Sequence, residues 1–182
     1  TNVFSKQEGR SEASISMPLQ DLIENAKRLV VATTFGSNVA RLKTLAEAGV
    51  KAGRSVCLLG RAMRRMIDAS VDTGVLSDFP SLISPEDALQ VPRENLLLLA
   101  TGSQGERRAA TAQLANGKYR GFSLQEGDLF IFSSKTIPGN EKGVSRIINQ
   151  FSEMGVDVVE DESGLYHVSG HCLLYTSDAA DD

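Results

Sequence analysis

The chain has 182 residues, 41% of them hydrophobic and 23% charged, which suits one soluble globular domain with a substantial core. Its longest strictly apolar stretch, Leu96 to Ala100, is far too short for a membrane span, and the N-terminus lacks the basic start and apolar run of a secretory signal, so a cytoplasmic protein with no membrane partner is expected. The net charge of −4 argues against a protein that coats nucleic acid non-specifically but leaves room for a locally positive cleft. Two cysteines and two histidines exclude a disulfide framework and make a self-contained multinuclear metal site hard to build.

Residues 1–16 are polar and aperiodic and predict an extended lead-in. Pro18 to Arg28 places a proline at a helix start and Leu19, Leu22, Ile23 and Ala26 on one face, which predicts an amphipathic helix. An alternation follows: strand Leu29–Thr33, helix Val39–Ala52, strand Ser55–Leu59, helix Arg61–Thr73, strand Asn95–Ala100, helix Glu106–Asn116, strand Asp128–Ser133, helix Lys142–Met154 and strand Val156–Val159. Between the second of these helices and the third strand, Val75 to Pro92 carries three prolines and predicts an irregular excursion. Runs such as Val56-Cys57-Leu58-Leu59 and Leu96-Leu97-Leu98-Leu99 are short and continuously apolar, as in strands covered on both faces. The fold class is therefore α/β, a three-layer αβα sandwich around a mainly parallel sheet.

The strand-to-helix junctions share one chemistry. They read Phe35-Gly36-Ser37-Asn38, Gly60-Arg61, Thr101-Gly102-Ser103-Gln104-Gly105-Glu106, and Ser133-Ser134-Lys135 leading to Ile137-Pro138-Gly139-Asn140-Glu141. In a parallel sheet all four lie along the carboxyl edge, where backbone N–H groups and helix termini receive anions. One such junction alone is an ordinary cap or turn, but four in a row, two with an adjacent cation, predict a phosphate-binding edge. Neither a P-loop nor a dinucleotide fingerprint is present, which removes support for nucleoside triphosphates and dinucleotides. Tyr166-His167-Val168-Ser169-Gly170-His171 reads as a loop in which a histidine beside Ser and Gly suits proton transfer near phosphate, or as a surface loop with two ordinary histidines. Arg64-Arg65 and Arg107-Arg108 fit solvated helix faces as well as a ligand.

In sequence, order and spacing these motifs, from Phe35-Gly36-Ser37-Asn38-Val39-Ala40-Arg41 to His167-Val168-Ser169-Gly170-His171, resemble ribonuclease J, a bacterial metallo-β-lactamase ribonuclease, over Thr1 to His171. The Thr-Gly-Ser-Gln-Gly-Glu and Pro-Gly-Asn-Glu pair is the specific part. The resemblance is to the β-CASP domain, which in the family is inserted into a metallo-β-lactamase domain holding two zinc ions and closes over RNA. It implies a hydrolase with 5′-to-3′ exonuclease activity favouring 5′-monophosphorylated single strands, endonuclease activity, roles in RNA decay and ribosomal RNA processing, and a homo-oligomeric intact protein. It also implies that metal-activated water attacks phosphorus and that His171 protonates the leaving oxygen. By motif, Ser37, Asn38, Gly60 and Arg61 would line the path of the RNA backbone. Ser103, Gln104, Gly105, Ser133, Ser134, Ser169 and Gly170 would bind phosphates near the scissile bond, and His167 would touch phosphate or orient its loop.

The family's His-x-His-x-Asp-His zinc motif is absent, so no metal ligand is assigned here and the two zinc ions are expected in a metallo-β-lactamase domain outside this chain. The expected organisation is a lead-in from that domain at 1–16, a β-CASP domain at 17–171, and a non-native tail at 172–182, where the resemblance stops. The isolated chain is expected to lack nuclease activity. Two other readings compete: a free-standing α/β module for a small phosphorylated ligand, and a purely structural partner domain that leaves the His-Val-Ser-Gly-His loop without a purpose.

Overall fold

The computed structural model describes residues 13–160 and Tyr166. Six strands and six helices alternate: α1 Ala13–Asn25, β1 Val30–Thr33, α2 Val39–Lys51, β2 Ser55–Leu59, α3 Arg61–Asp72, β3 Leu82–Ile83, α4 Pro85–Ala88, β4 Leu96–Ala100, α5 Ala110–Ala115, β5 Leu129–Phe132, α6 Glu141–Glu153 and β6 Asp157–Glu160. The strands form one sheet in the order β3-β2-β4-β1-β5-β6. Every neighbouring pair in it is parallel.

Successive strand residues point to opposite faces, and each face has its own core. Val30, Ala32, Val56, Leu58, Leu97, Leu99 and Ile131 pack with Ile15, Leu19 and Ile23 of α1, Leu42 and Leu45 of α2, and Met63 and Ile67 of α3. Val31, Cys57, Leu59, Leu98, Phe130 and Phe132 pack on the other side with Ala88 of α4, Leu114 of α5, and Val144, Ile147 and Phe151 of α6. This is the predicted three-layer αβα sandwich. β1 and β4 are adjacent, yet the helix after β1 covers one face and the helix after β4 covers the other. The direction in which the chain winds across the sheet therefore reverses between them, and the crevice outside their carboxyl ends is where open α/β sheets place ligands.

Three expectations need correction. Residues 13–16 are helical, and Pro18 lies inside α1 instead of starting it. Proline withholds one helical hydrogen bond, but burying Ile15 in register with Leu19 and Ile23 offsets that loss. The excursion at 75–92 contains β3 and α4. Leu82 and Ile83 pair with Val56 and Cys57, and the Ser84 hydroxyl caps α4 by accepting from the Asp87 N–H at 3.0 Å, with Pro85 opening the helix. The helix expected at 106–116 is confined to 110–115. Gly105 has φ +77°, the Glu106 carboxylate turns back to accept from the Gln104 N–H at 2.9 Å, and the first turn of α5 docks on Thr101 through Thr111 N–H to Thr101 C=O at 3.0 Å.

Candidate functional site

The ends of β4, β1 and β5 are stitched together by hydroxyls. Thr33 Oγ1 donates to the Ala100 carbonyl at 2.8 Å, and Thr34 Oγ1 donates to the Ser133 carbonyl at 3.1 Å. Beneath them lies Arg41, fully buried in the first turn of α2. Its Nη1 donates to the Ser133 carbonyl at 3.0 Å, Ser133 Oγ at 2.9 Å and the Tyr166 carbonyl at 3.1 Å. Ser133 Oγ in turn donates to the Tyr166 carbonyl at 2.6 Å. A buried guanidinium is tolerated only when its donors are matched, so Ser133 serves Arg41 and anchors Tyr166 to the end of β5. The sequence reading assigned Arg41 no role; an arginine three residues past a helix cap looks like a solvated surface residue.

Gln104, almost fully buried, ties the β4 loop to the loop before α6. Its Nε2 donates to the Lys135 carbonyl at 3.0 Å, and its Oε1 accepts from the Ile137 N–H at 2.8 Å and Asn140 Nδ2 at 3.3 Å. Gly105 completes the junction, since a Cβ there would lie 2.6 Å from the Gly143 carbonyl carbon and 2.8 Å from the Val144 nitrogen. Only glycine fits that contact with a positive φ. Ser103 is buried in the same loop. Ser134, at the end of β5, is 6% exposed and its hydroxyl has no hydrogen-bond partner. Such an orphan is uncommon and, among the described residues, leaves the Ser134 hydroxyl buried and unmatched at the end of β5, the strand next to β1.

At the first junction Asn38 caps α2 by accepting from the Arg41 N–H at 3.1 Å, while Ser37 is exposed. At the β2 junction Gly60 precedes α3 and packs so closely on β4 that a Cβ would lie 2.3 Å from Thr101 Cγ2. Arg61 follows, exposed and with no ion-pair partner among the described residues. The predicted residues of these four junctions thus share the carboxyl edge of β2, β4, β1 and β5. His167, Ser169, Gly170 and His171 lie outside the described residues.

Among the described residues titrating groups add no nucleophile to this edge. Burial pushes the Cys57 thiol up to about 11, with Glu86 adding to the rise and Arg120 opposing it, so Cys57 is a protonated core residue at neutral pH. Lys43 and Asp78 pair elsewhere on the surface, which raises the lysine and lowers the carboxyl. Among the described residues no group of three or more His, Cys, Asp or Glu side chains could hold a metal ion. They do not fit a two-zinc centre. No helix among them is long and apolar enough to cross a membrane.

Residues 26–151 match the family described as Ribonuclease J, beta-CASP domain. The chain is 40% identical over 171 residues to Ribonuclease J of Sinorhizobium meliloti, covering 94% of this chain and 30% of that protein. It is 38% identical over 162 residues to Ribonuclease J 1 of Streptococcus pyogenes serotype M3, covering 88% and 29%. For Ribonuclease J of Mycobacterium tuberculosis the identity is 36% over 172 residues, covering 94% and 31%. The chain therefore spans about three tenths of the length of these relatives.

Proposed function

Because the chain belongs to the ribonuclease J family and carries its β-CASP domain, we propose that it is the RNA-gripping portion of a zinc-dependent ribonuclease, with the carboxyl edge of the sheet as the grip. The observation that carries this reading is the β1–β4 crevice with its neighbouring strand ends. There Gln104 ties the β4 loop to the loop before α6, with Gly105 packed against the start of that helix, the buried Ser134 hydroxyl lacks a partner among the described residues, and at the β2 end of the same edge the Arg61 guanidinium has no ion pair among them. Backbone N–H groups, hydroxyls and free guanidinium donors suit phosphodiester oxygens, which position a strand without reading its bases.

In this reading two zinc ions would be held by a metallo-β-lactamase portion outside this chain and would supply the activated water. His171 donates a proton to the leaving oxygen, while Ser169 and Gly170 bind phosphate near it. The intact enzyme would act from 5′-monophosphorylated ends and internally, in cytoplasmic RNA processing and decay, as a homo-oligomer.

Fluorescence anisotropy with matched single-stranded oligoribonucleotides tests the grip. A 5′-monophosphorylated strand is expected to bind more tightly than its 5′-hydroxyl counterpart, with affinity falling as salt rises, and the chain alone is expected to leave both uncut. Tight binding of inorganic phosphate or a mononucleotide with no preference for a strand would favour the small-ligand reading instead. Zinc-dependent RNA cleavage by the purified chain, insensitive to His171→Ala, would overturn the division of labour.

A further inference from the structure

Beside the β2 end of the edge, a cavity of about 380 Å³ is lined by Gly60, Arg61 and Arg64 from β2 and α3, Leu82 to Pro85 from the β3–α4 junction, Leu58, and Tyr119 and Arg120 from the segment before β5. Its lining includes three arginines and neither Asp nor Glu, in a chain whose net charge is −4. Arg64 is shared with Asp68, its Nε lying 3.4 Å from Oδ1. Arg61 and Arg120 have no ion-pair partner among the described residues. Cations clustered around a concave surface with no counter-charge in its lining repel one another unless an anion joins them.

Arg120 is held there at a cost. Tyr119 and Phe122 exchange two backbone hydrogen bonds of 2.9 Å, closing a two-residue turn in which Arg120 has φ +49° and Gly121 φ +91°. Positive φ at both positions is what a type I′ turn requires, and Asn-Gly is its favoured sequence. Arg120 is the only non-glycine residue with positive φ among those described. Phe122 is buried and Tyr119 packs against the same core, so the turn is fixed and the arginine at its tip is carried against the cavity.

We infer that this cavity is a second contact for the RNA strand, taking a nucleotide beyond the β1–β4 crevice, with Arg120 and Arg61 on its phosphate and Tyr119, Leu82 and Ile83 offering an apolar wall to its base. The inference rests on the RNA reading of the carboxyl edge and extends it sideways. β2 lies beside β4 and two positions from β1 in the sheet, which sets the cavity about 7 Å from the β1–β4 crevice at ordinary strand spacing, so a strand laid across the edge reaches both with different phosphates. A volume of this size is at the lower end of small-ligand pockets. Base stacking and phosphate contacts together are the usual recipe for gripping single strands without sequence preference.

Arg120→Asn separates the contact from folding, because it removes the guanidinium and installs the favoured Asn-Gly turn. The probes are a 5′-monophosphorylated oligouridylate and uridine 5′-monophosphate, titrated against the full chain. Arg120→Asn is expected to weaken the oligonucleotide about five- to tenfold, to lower the slope of log affinity against log salt by about 0.7, to spare the mononucleotide, and to raise the melting temperature. An unchanged oligonucleotide affinity, with the parent chain still binding, overturns the second contact and leaves the first standing. An equal loss for the mononucleotide makes the cavity a free-nucleotide site and also overturns it. If the parent chain binds no oligonucleotide, both readings fall.

Discussion

The two ends of the sheet use the same residue types to opposite purposes. At the amino edge Arg54, 5% exposed, spends its guanidinium on the carbonyls of Ala26, Arg28 and Leu96 at 2.5, 2.8 and 3.3 Å. Arg93 pairs with Asp128, whose carboxylate is fully buried, and also donates to the Ser123 carbonyl. That edge is largely closed: the chain takes up the Arg54 guanidinium and one end of Arg93, while Arg93 Nε and Asp128 Oδ1 stay buried without a partner among the described residues. At the carboxyl edge Arg61 and Arg120 are exposed and, among the described residues, unpaired, and the Ser134 hydroxyl is buried without a partner among them. Arg41 shows that position alone does not decide the matter, since it lies at the carboxyl end of the sheet yet is spent on Ser133 and Tyr166. What separates a structural arginine from a ligand-binding one is whether its donors are already used.

The sharpest test of that contrast is Asp128→Ala. It leaves the Arg93 guanidinium half-buried without its carboxylate and removes the acceptor of the Gln125 N–H, which donates to Asp128 Oδ2 at 2.7 Å. Breaking a buried pair by removing one partner costs about 3–5 kcal/mol. Urea denaturation should show that loss, while the folded fraction keeps the parent affinity for oligoribonucleotides. A variant of normal stability and weakened RNA binding would erase the distinction between the edges. Gly105→Ala should come next, costing about 2–4 kcal/mol through strain and overpacking, and here RNA affinity should fall with stability because the start of α6 must move.

The same contrast explains what the sequence made legible. Continuous apolar runs such as Leu96–Leu99 marked strands covered on both faces, and five of the six strands were placed to within two residues. β3 was missed because two half-buried residues at an edge carry no periodicity; the Ser84-Pro85 cap beside it was a readable signal for α4. Gly60, Gly102 and Gly105 helped reveal the edge, because a positive φ or a close approach leaves its mark in residue type. Arg41, Gln104 and Arg120 were harder. The partners of Arg41 and Gln104 lie 92 and 31 residues away in the chain, the cavity beside Arg120 is built from separate segments, and no local pattern records whether a donor is spent.

Cys57 offers a smaller effect, confined to alkaline pH. Its folded-state pKa of about 11 stands above the ordinary 9.0, so the buried thiol stays protonated while the unfolded one ionises. Below pH 9 both states hold the proton and the stability it contributes is fully present. Between pH 9 and 11 the unfolded state binds fewer protons, and stability falls with rising pH by up to about 1.4 kcal/mol per unit. Denaturation curves across that window should be flatter for Cys57→Ala than for the parent chain. A slope identical in both would mean that the thiol meets water in the folded state.

Arg61→Gln is the mildest change and bears most directly on the comparison. The side chain is exposed at the start of α3 and holds no ion pair among the described residues, so its removal should shift stability by no more than about 0.5 kcal/mol. Its donors have nothing to lose but a ligand. Oligoribonucleotide affinity should drop about fivefold with a shallower salt dependence, and combining it with Arg120→Asn should give less than the product of the two losses if both grip one phosphate. Losses that multiply would assign the two arginines to different phosphates along the strand, and no loss from Arg61→Gln would remove β2 from the grip.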